Sequence, residues 1–498
     1  MHMHFIEDDT ILSGRWHRWH RSRRAVGRLW SRHPLVAIRT RLGYVSPGDI
    51  DGYIARTLRC RQLTRFHVHT RELPHYRFVD LYRAVDAFCQ GYGDVRTVAS
   101  EHEEDLNSLL HGKRRQWPSR RLKRARYIAW PSGPRTEVSL PVDHFWLCRT
   151  HSETVAECVI LRLRYNVLRE RAILEAATEQ AQMAETCLNA IVEQSARASI
   201  YRNQLLALTY EADVKDEYGD IERVDRLRVL FKEDEPVDDD DIVIDDEVRD
   251  MLWRNVIDVF TKCALLKAYH VPVRRGVLLY GPPGTGKTFA CRYLCGKLPH
   301  VTRIIVTGTA LPHVHAIFTL ARMLQPVLLI LEDVDLVFAA REVNLYSSVL
   351  GDLLDHMDGL RPFEEVSCIL TTNAIDRLEA AIRDRPGRIS QCIYFGAPLP
   401  GLRQRYLLHY LRPYATPQLD MDDLVAMSHG ATQAFLKEWV HRSVQVALER
   451  LTTSQAQLEL RHEDFRCAMQ EMRRFSEGTT GRIIGFHGTT ALPGAPAF

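Results

Sequence analysis

The sequence predicts an α/β fold, a parallel sheet followed by a small helical lid, with a separate α+β domain in front of it. Three observations predict the sheet. The apolar run Val277–Tyr280 enters Gly281-Pro-Pro-Gly-Thr-Gly-Lys-Thr288 and leaves through the helix-favouring Phe289–Cys295, a strand–loop–helix pattern. Residues 326–331 end in a wholly apolar stretch, as a strand buried on both faces requires, and run into Glu332-Asp333-Val334-Asp335. Val366–Leu370 is a third apolar run and ends in Thr371-Thr372-Asn373.

The loop has the composition of a polyphosphate cradle. Gly281, Gly284 and Gly286, spaced by Pro282, Pro283 and Thr285, let backbone N–H groups turn inward, and the following helix presents its positive end to the same charge. Lys287 is placed for the β- and γ-phosphates, and Thr288 offers a hydroxyl to magnesium. In an open α/β sheet the carboxyl ends of the strands face the ligand crevice. Glu332 is therefore assigned to the metal and Asp333 to activation of water, with Asn373 positioned for the water or the γ-phosphate. Further on, Arg385 and Arg388 bracket a Pro-Gly turn expected at the domain's rim.

These motifs, together with Met357-Asp-Gly359, resemble in order and spacing the AAA family of ring-forming ATPases, over residues of roughly 240–475. Residues 273–288 with 331–335 are most similar to the branch that contains the mitochondrial respiratory-complex assembly ATPase and its uncharacterised prokaryotic relatives. The resemblance implies an AAA module with ATP and Mg2+ as ligands and a homo-oligomeric ring, a hexamer. It also implies that Arg385 and Arg388 are arginine fingers that act on the next subunit's nucleotide, and that the adenine lies near Ile242–Ile244. Two departures stand out. Glu332 precedes Asp333 where most members have the reverse, and residues 308–316 lack the aromatic–aliphatic–glycine triplet by which protein-threading members grip a chain. His313 and His315 lie in that segment, where the competing readings are a pore lining and an ordinary loop. No arginine sensor is expected at Gly430-Ala431.

A chain of 498 residues, 45% apolar and 26% charged, is globular and long enough for about three domains. The net charge of +3 conceals an asymmetry: the first 130 residues hold about twice as many Lys and Arg as Asp and Glu, so the remainder is acidic. The eleven cysteines form no Cys-x-x-Cys pair, which argues against zinc and for a reducing compartment. No run approaches a membrane span, and Glu7-Asp8-Asp9 argue against a mitochondrial presequence, so a cytoplasmic protein without a membrane anchor is expected.

Residues 1–78 read as a basic Arg/His/Trp-rich extension, and 79–232 as an α+β partner-recognition domain. In that domain Cys158–Tyr165 is a strand with Leu161, Leu163 and Tyr165 inward and Arg162 and Arg164 in solvent, and a long amphipathic helix runs from Leu168 to about Ser199. The acidic run Glu233–Asp241 is a linker or surface turn, opening a large ATPase subdomain over 233–400. Residues 401–475 form the helical lid, with Leu436, Val440, Val444 and Leu448 as one stripe, and 476–498 a disordered tail. The function expected is ATP hydrolysis coupled to remodelling or disassembly of a protein partner. The alternatives are a nucleic-acid-dependent ATPase using the basic front, and a slow ATP-gated assembly scaffold.

Overall fold

The computed structural model describes residues 49–60, 62–112, 120–150, 157–211, 214–215, 221–222, 226–335, 347–376, 389–416, 419–450 and 458–474. The chain divides into two compact units, one of residues up to Trp130 with Val138–Ser195, the other of Pro131–Glu137 with residues from Ala196 onward.

The first unit runs α1 (Ile50–Leu58), β1 (His67–Pro74), α2 (Phe78–Cys89), β2 (Asp94–Ala99) and α3 (Leu106–His111). A hairpin of β3 (Tyr127–Gly133) and β4 (Thr136–Pro141) follows, then β5 (Asp143–Arg149), β6 (Cys158–Asn166), β7 (Arg171–Thr178) and α4 (Ala181–Arg197). Five strands form an antiparallel sheet of order β1-β7-β6-β5-β2. On one face Phe145, Leu147, Ile160 and Ala177 pack with α1 and α3. On the other, alternate residues of β5 meet successive turns of α2: Tyr82 Oη lies 3.1 Å from His144 Nδ1, Trp146 Nε1 donates to Asp86 at 2.6 Å, and the Cys89 and Cys148 sulfurs are 3.3 Å apart.

Because both faces are covered, Arg162 is fully buried, not in solvent as the alternation implies. All five of its N–H groups are taken: bidentate to Asp143 at 2.8 and 2.7 Å, one to Glu175 at 3.2 Å, and one each to the carbonyls of His102 and Glu104. The same pairing corrects the helix expected from Leu168. Residues 171–178 are β7, in register Arg162↔Glu175, and the helix begins only at Ala181. Glu and Ala favour a helix, but an ion pair and a ladder available only in the tertiary fold override that local preference.

Two boundaries also move. Ile50, Ile54, Leu58 and Phe66 lie in the first unit's core, so ordered packing begins well before residue 79. At the other end, β8 (Leu205–Glu211) and β11 (Arg226–Phe231), with the short pair β9 (Val214–Lys215) and β10 (Ile221–Glu222) between them, belong to the second unit. There β8 runs parallel to β13 (Thr302–Val306), and β11 closes the edge antiparallel to β8.

The second unit continues with α5 (Asp246–Leu252), which passes through one π turn at Trp253–Ile257 into α6 (Asp258–Thr261) and α7 (Cys263–Ala268). Then come β12 (Arg275–Tyr280), α8 (Lys287–Lys297), β13, α9 (Val314–Met323), β14 (Val327–Leu331), α10 (Ser347–Asp358), β15 (Val366–Thr372) and β16 (Gln391–Tyr394). The seven-stranded sheet has the order β11-β8-β13-β14-β15-β12-β16, parallel from β8 to β16. β12 therefore sits between β15 and β16, and the carboxyl ends of β12, β14 and β15 lie side by side.

Among the described residues four helices form the lid: α11 (Pro400–Leu411), α12 (Met421–Met427), α13 (Gln433–Glu449) and α14 (His462–Arg474). Their core centres on Trp439, Leu436, Val440 and Phe465, and Trp439 Nε1 donates to the Phe465 carbonyl at 2.9 Å. Leu448, at the end of the expected stripe, is exposed.

The acidic run is a strap laid along α8. Asp234 pairs with buried Arg303, Glu235 with Arg292 at 2.9 Å, and Asp239 accepts from Tyr293 Oη and Lys297 at 2.7 Å each. Among the described residues no helix is long and apolar enough to cross a membrane.

Candidate active site

The loop between β12 and α8 owes its shape to glycines. Gly281 has φ 144° and lies so close to Phe395 that a Cβ would stand 2.1 Å from that residue's carbonyl oxygen. Gly286, at φ 99°, caps the amino end of α8, and Thr285 Oγ1 donates to the Pro282 carbonyl at 2.9 Å, closing the turn. Lys287, the first residue of α8, is buried, and its ammonium donates to the carbonyls of Gly281 and Pro282 at 2.8 Å each. Burial pushes this ammonium down to about 8, against the opposing pull of Asp333 and Asp335.

The acids at the end of β14 divide between two partners. Glu332 shares a hydrogen bond with the Thr288 side chain; burial raises its carboxyl above the usual range, and the Thr288 bond draws it back. Asp333 has φ 49°, a left-handed conformation uncommon for a residue with a side chain. Its amide donates to Thr371 Oγ1 at 2.9 Å, and its Oδ1 accepts from Asn373 Nδ2 at 3.1 Å. This backbone turn sends consecutive carboxylates in different directions, Glu332 toward Thr288 and Asp333 toward Asn373.

Two cavities adjoin the loop. One of about 390 Å³ is lined by Lys287, Thr288, Asp333 and Asn373 from the sheet side and by Tyr410, Gln433 and Lys437 from the lid. The other, of about 300 Å³, is apolar; Ile242, Val243, Ile244, Phe289 and Tyr406 are among its walls. The second has the size and character for a planar base, the first the donors for a polyphosphate. The residues thus fit magnesium and a nucleoside triphosphate: a hydroxyl and a carboxylate on one side, a lysine and turned backbone on the other, and a loop where a Cβ would collide.

Residues 277–397 match the family model described as ATPase family associated with various cellular activities (AAA). That stretch of the chain is similar to an AAA module. Among curated proteins the chain is similar to the proteasome-activating nucleotidase of Aeropyrum pernix, 29% identical over 226 residues that cover 42% of this chain and 54% of that protein. It is also similar to the ATP-dependent zinc metalloprotease FtsH 2 of a Thermoanaerobacter species, 31% identical over 38% of this chain and 39% of that protein. A third relative is the 26S proteasome regulatory subunit 8 homolog of Schizosaccharomyces pombe, 28% identical over 44% of this chain and 56% of that protein. The chain spans about half the length, or less, of these relatives.

The second unit brings together Gly281–Thr288, Glu332, Asp333 and Asn373, and places Ile242–Ile244 on the apolar cavity. Arg385 and Arg388 lie outside the described residues. His313 stacks on Tyr210 of β8, ring centroids 3.4 Å apart. The strand-end acids expected from sequence include Asp335 but give it no role of its own; it is buried, and its Oδ1 accepts from Thr372 Oγ1 at 2.8 Å and the Asn373 amide at 3.1 Å, fixing the turn that carries Asn373. The signal was present, a third acid in Glu-Asp-Val-Asp. Sequence reasoning missed Gln433 and Lys437, which nothing local distinguishes from ordinary helix residues.

Proposed function

We propose that this protein is a magnesium-dependent ATPase that hydrolyses ATP in an oligomeric ring and couples the reaction to remodelling of a protein partner. The observation that carries the reading is the split at the end of β14, Glu332 bonded toward Thr288 and Asp333 toward Asn373, on the wall of the cavity that holds Lys287. Thr288 and Glu332 are the residues that would hold magnesium, which when bound would supply positive charge beside the phosphates. Lys287 and the loop amides bind and orient the phosphates, and the apolar cavity takes the base. Asp333 accepts the proton of the attacking water, held in line by Asn373, whose position Asp335 fixes. Arg385 and Arg388 of a neighbouring copy complete the charge stabilisation, which makes the ring a condition of activity.

The coarse likeness to a proteasome-activating nucleotidase and a proteasome regulatory subunit supports a protein as the object of the work. Under this reading the first unit, with its own sheet and core, selects the partner. The Glu332-Asp333 order keeps the respiratory-complex assembly branch as the finer placement within the family.

The test is Asp333→Asn. It should bind ATP with unchanged affinity and lose on the order of 10²–10⁴-fold in turnover, and with Mg-ATP it should form a ring by light scattering and retain a protein from native lysate. Undiminished turnover rejects the assignment of Asp333. A persistent monomer rejects the ring, and retention of nucleic acid instead of protein rejects the remodelling reading.

A further inference from the structure

Both faces of the first unit's sheet carry a pair of thiols at the same end. Cys89, the last residue of α2, lies 3.3 Å sulfur to sulfur from Cys148 of β5. On the face that packs with α1, Cys60 lies 4.0 Å from Cys158, the first residue of β6. The ladder sets the two strand cysteines beside each other, because β5 and β6 pair Cys148 with Val159 and Arg149 with Cys158. Each pair therefore joins the end of a helix to a strand, and all four thiols are free.

The two pairs differ in access. Cys89 and Cys148 are buried, whereas Cys60 and Cys158 are half-buried. The second pair is also asymmetric. Burial raises both thiols, Cys158 up to about 12, but the hydrogen bond between them draws Cys60 down and pushes Cys158 further up. Arg149, opposite Cys158 in the ladder, adds a positive charge that favours a thiolate at either sulfur. Cys60 thus ionises first, with Cys158 as its neighbour and donor. The left-handed Arg59, at φ 55°, ends α1 before Cys60. Closing 4.0 Å to the bonded distance of about 2.05 Å then asks for side-chain rotation at a position already outside the helix.

We propose that Cys60 and Cys158 form a reversible oxidation site that takes a hydroperoxide as its oxidant and closes a disulfide, stapling the end of α1 to β6. The Cys60 thiolate attacks one oxygen of hydrogen peroxide, and the O–O bond breaks. The other oxygen leaves as water with the proton that Cys60 gave up, and Cys60 becomes a sulfenic acid. The Cys158 sulfur displaces the sulfenic hydroxyl, which leaves with the Cys158 proton as a second water. Two thiols and one peroxide give one disulfide and two waters, and a thiol reductant restores the pair. In a reducing compartment such a bond is transient, as a sensor requires. The cysteines are 98 residues apart, so the closed loop takes in β1 to β5 and restrains most of the first unit.

The full-length protein is reduced, freed of reductant, treated with hydrogen peroxide, blocked with N-ethylmaleimide and mapped by mass spectrometry without reduction. The Cys60–Cys158 link should form before any link between Cys89 and Cys148 and disappear with dithiothreitol. It should raise the first unit's melting midpoint by roughly 5–10 °C. In Cys158→Ser, dimedone should trap a sulfenic acid on Cys60; in Cys60→Ser, peroxide should leave the melting midpoint where it was. Recovery of Cys60 and Cys158 as maleimide adducts, a Cys89–Cys148 link that forms first, or no dimedone adduct on Cys60 overturns the inference. The map of the unsubstituted protein decides even where a variant does not fold.

Discussion

Two buried cations, one in each unit, are handled in opposite ways. Arg162 is closed on every side: two carboxylates and two carbonyls take its five donors, and Asp143 and Glu175 in turn accept the amides of His102 and Leu106 at 2.8 Å each. Lys287 has three donors, of which two go to loop carbonyls, and its side chain borders an open cavity. The first arrangement spends its charge on holding α3 against a sheet. The second keeps charge in reserve, at the cost of a depressed affinity for its proton. A fully satisfied buried charge is architecture, and a partly satisfied one beside a cavity is a site.

The largest effect should come from breaking the closed network. Arg162→Met leaves Asp143 and Glu175 buried without the guanidinium that neutralises them and should cost about 3–5 kcal/mol, measured as loss of the first unit's transition by calorimetry or urea. Replacing Asp143 and Glu175 by Leu in the same chain should recover most of that loss, because an apolar core does not need the pair. If the single variant is as stable as the parent, Arg162 is not architecture. Lys287→Met, by contrast, should leave thermal stability almost unchanged and abolish nucleotide binding.

Next in size is an acid sensitivity of the first unit. Burial holds His102 and His144 down to about 4, so they stay neutral in the fold while they take up protons near their ordinary value once unfolded. The unfolded chain then binds more protons than the folded one between pH 6.5 and 4, and stability falls as pH falls through that window. The loss should be at most about 3 kcal/mol for each histidine, read from unfolding midpoints across the range. A double variant, His102→Gln with His144→Gln, should flatten the slope; a slope that survives it assigns the sensitivity elsewhere.

The candidate site was legible as a cluster because its residues are placed by local sequence. Gly281–Thr288 is one contiguous loop, and Glu332, Asp333 and Asn373 each end an apolar run, so strand ends alone placed them together. What escaped depends on who covers whom. Arg162 and Arg164 alternate with leucines as a solvent-facing row does, and only α3, packed over that face, makes Arg162 interior. Residues 171–178 carry helix-favouring Glu and Ala but are paired as a strand. Gln433 and Lys437 matter only because α13 returns to a loop about 150 residues earlier in the chain.

A smaller effect sharpens the open half of the comparison. Lys287 begins near 8, and bound phosphates favour its charged form, so nucleotide binding at pH 8–9 should take up a proton. Apparent affinity should fall as pH rises through this window, by up to about tenfold per unit once the free lysine is neutral. Titration calorimetry at pH 8.5 in buffers of different ionisation enthalpy reads the proton directly. Lys287→Arg keeps its charge throughout and should show no uptake. Uptake that persists in the arginine variant would move the titration to another group.

The smallest effect concerns the acidic strap, where the same contrast recurs within one segment. Asp239 is exposed and its pairs with Tyr293 and Lys297 are wet, so Asp239→Asn should change stability by no more than about 0.5 kcal/mol and the remainder should vanish in salt. Asp234 reaches Arg303, which is 4% exposed along its side chain and otherwise donates to the carbonyls of Cys295 and Asn203. Asp234→Asn removes the only carboxylate recorded against that buried guanidinium among the described residues and should cost about 1–2 kcal/mol, largely insensitive to salt. Composition alone reads the seven acids of the run as equivalent solvated charge. If the two substitutions behave alike, that reading is right and the strap is a linker after all; if they separate as argued, burial of the partner and not charge density decides which acid holds the strap to α8.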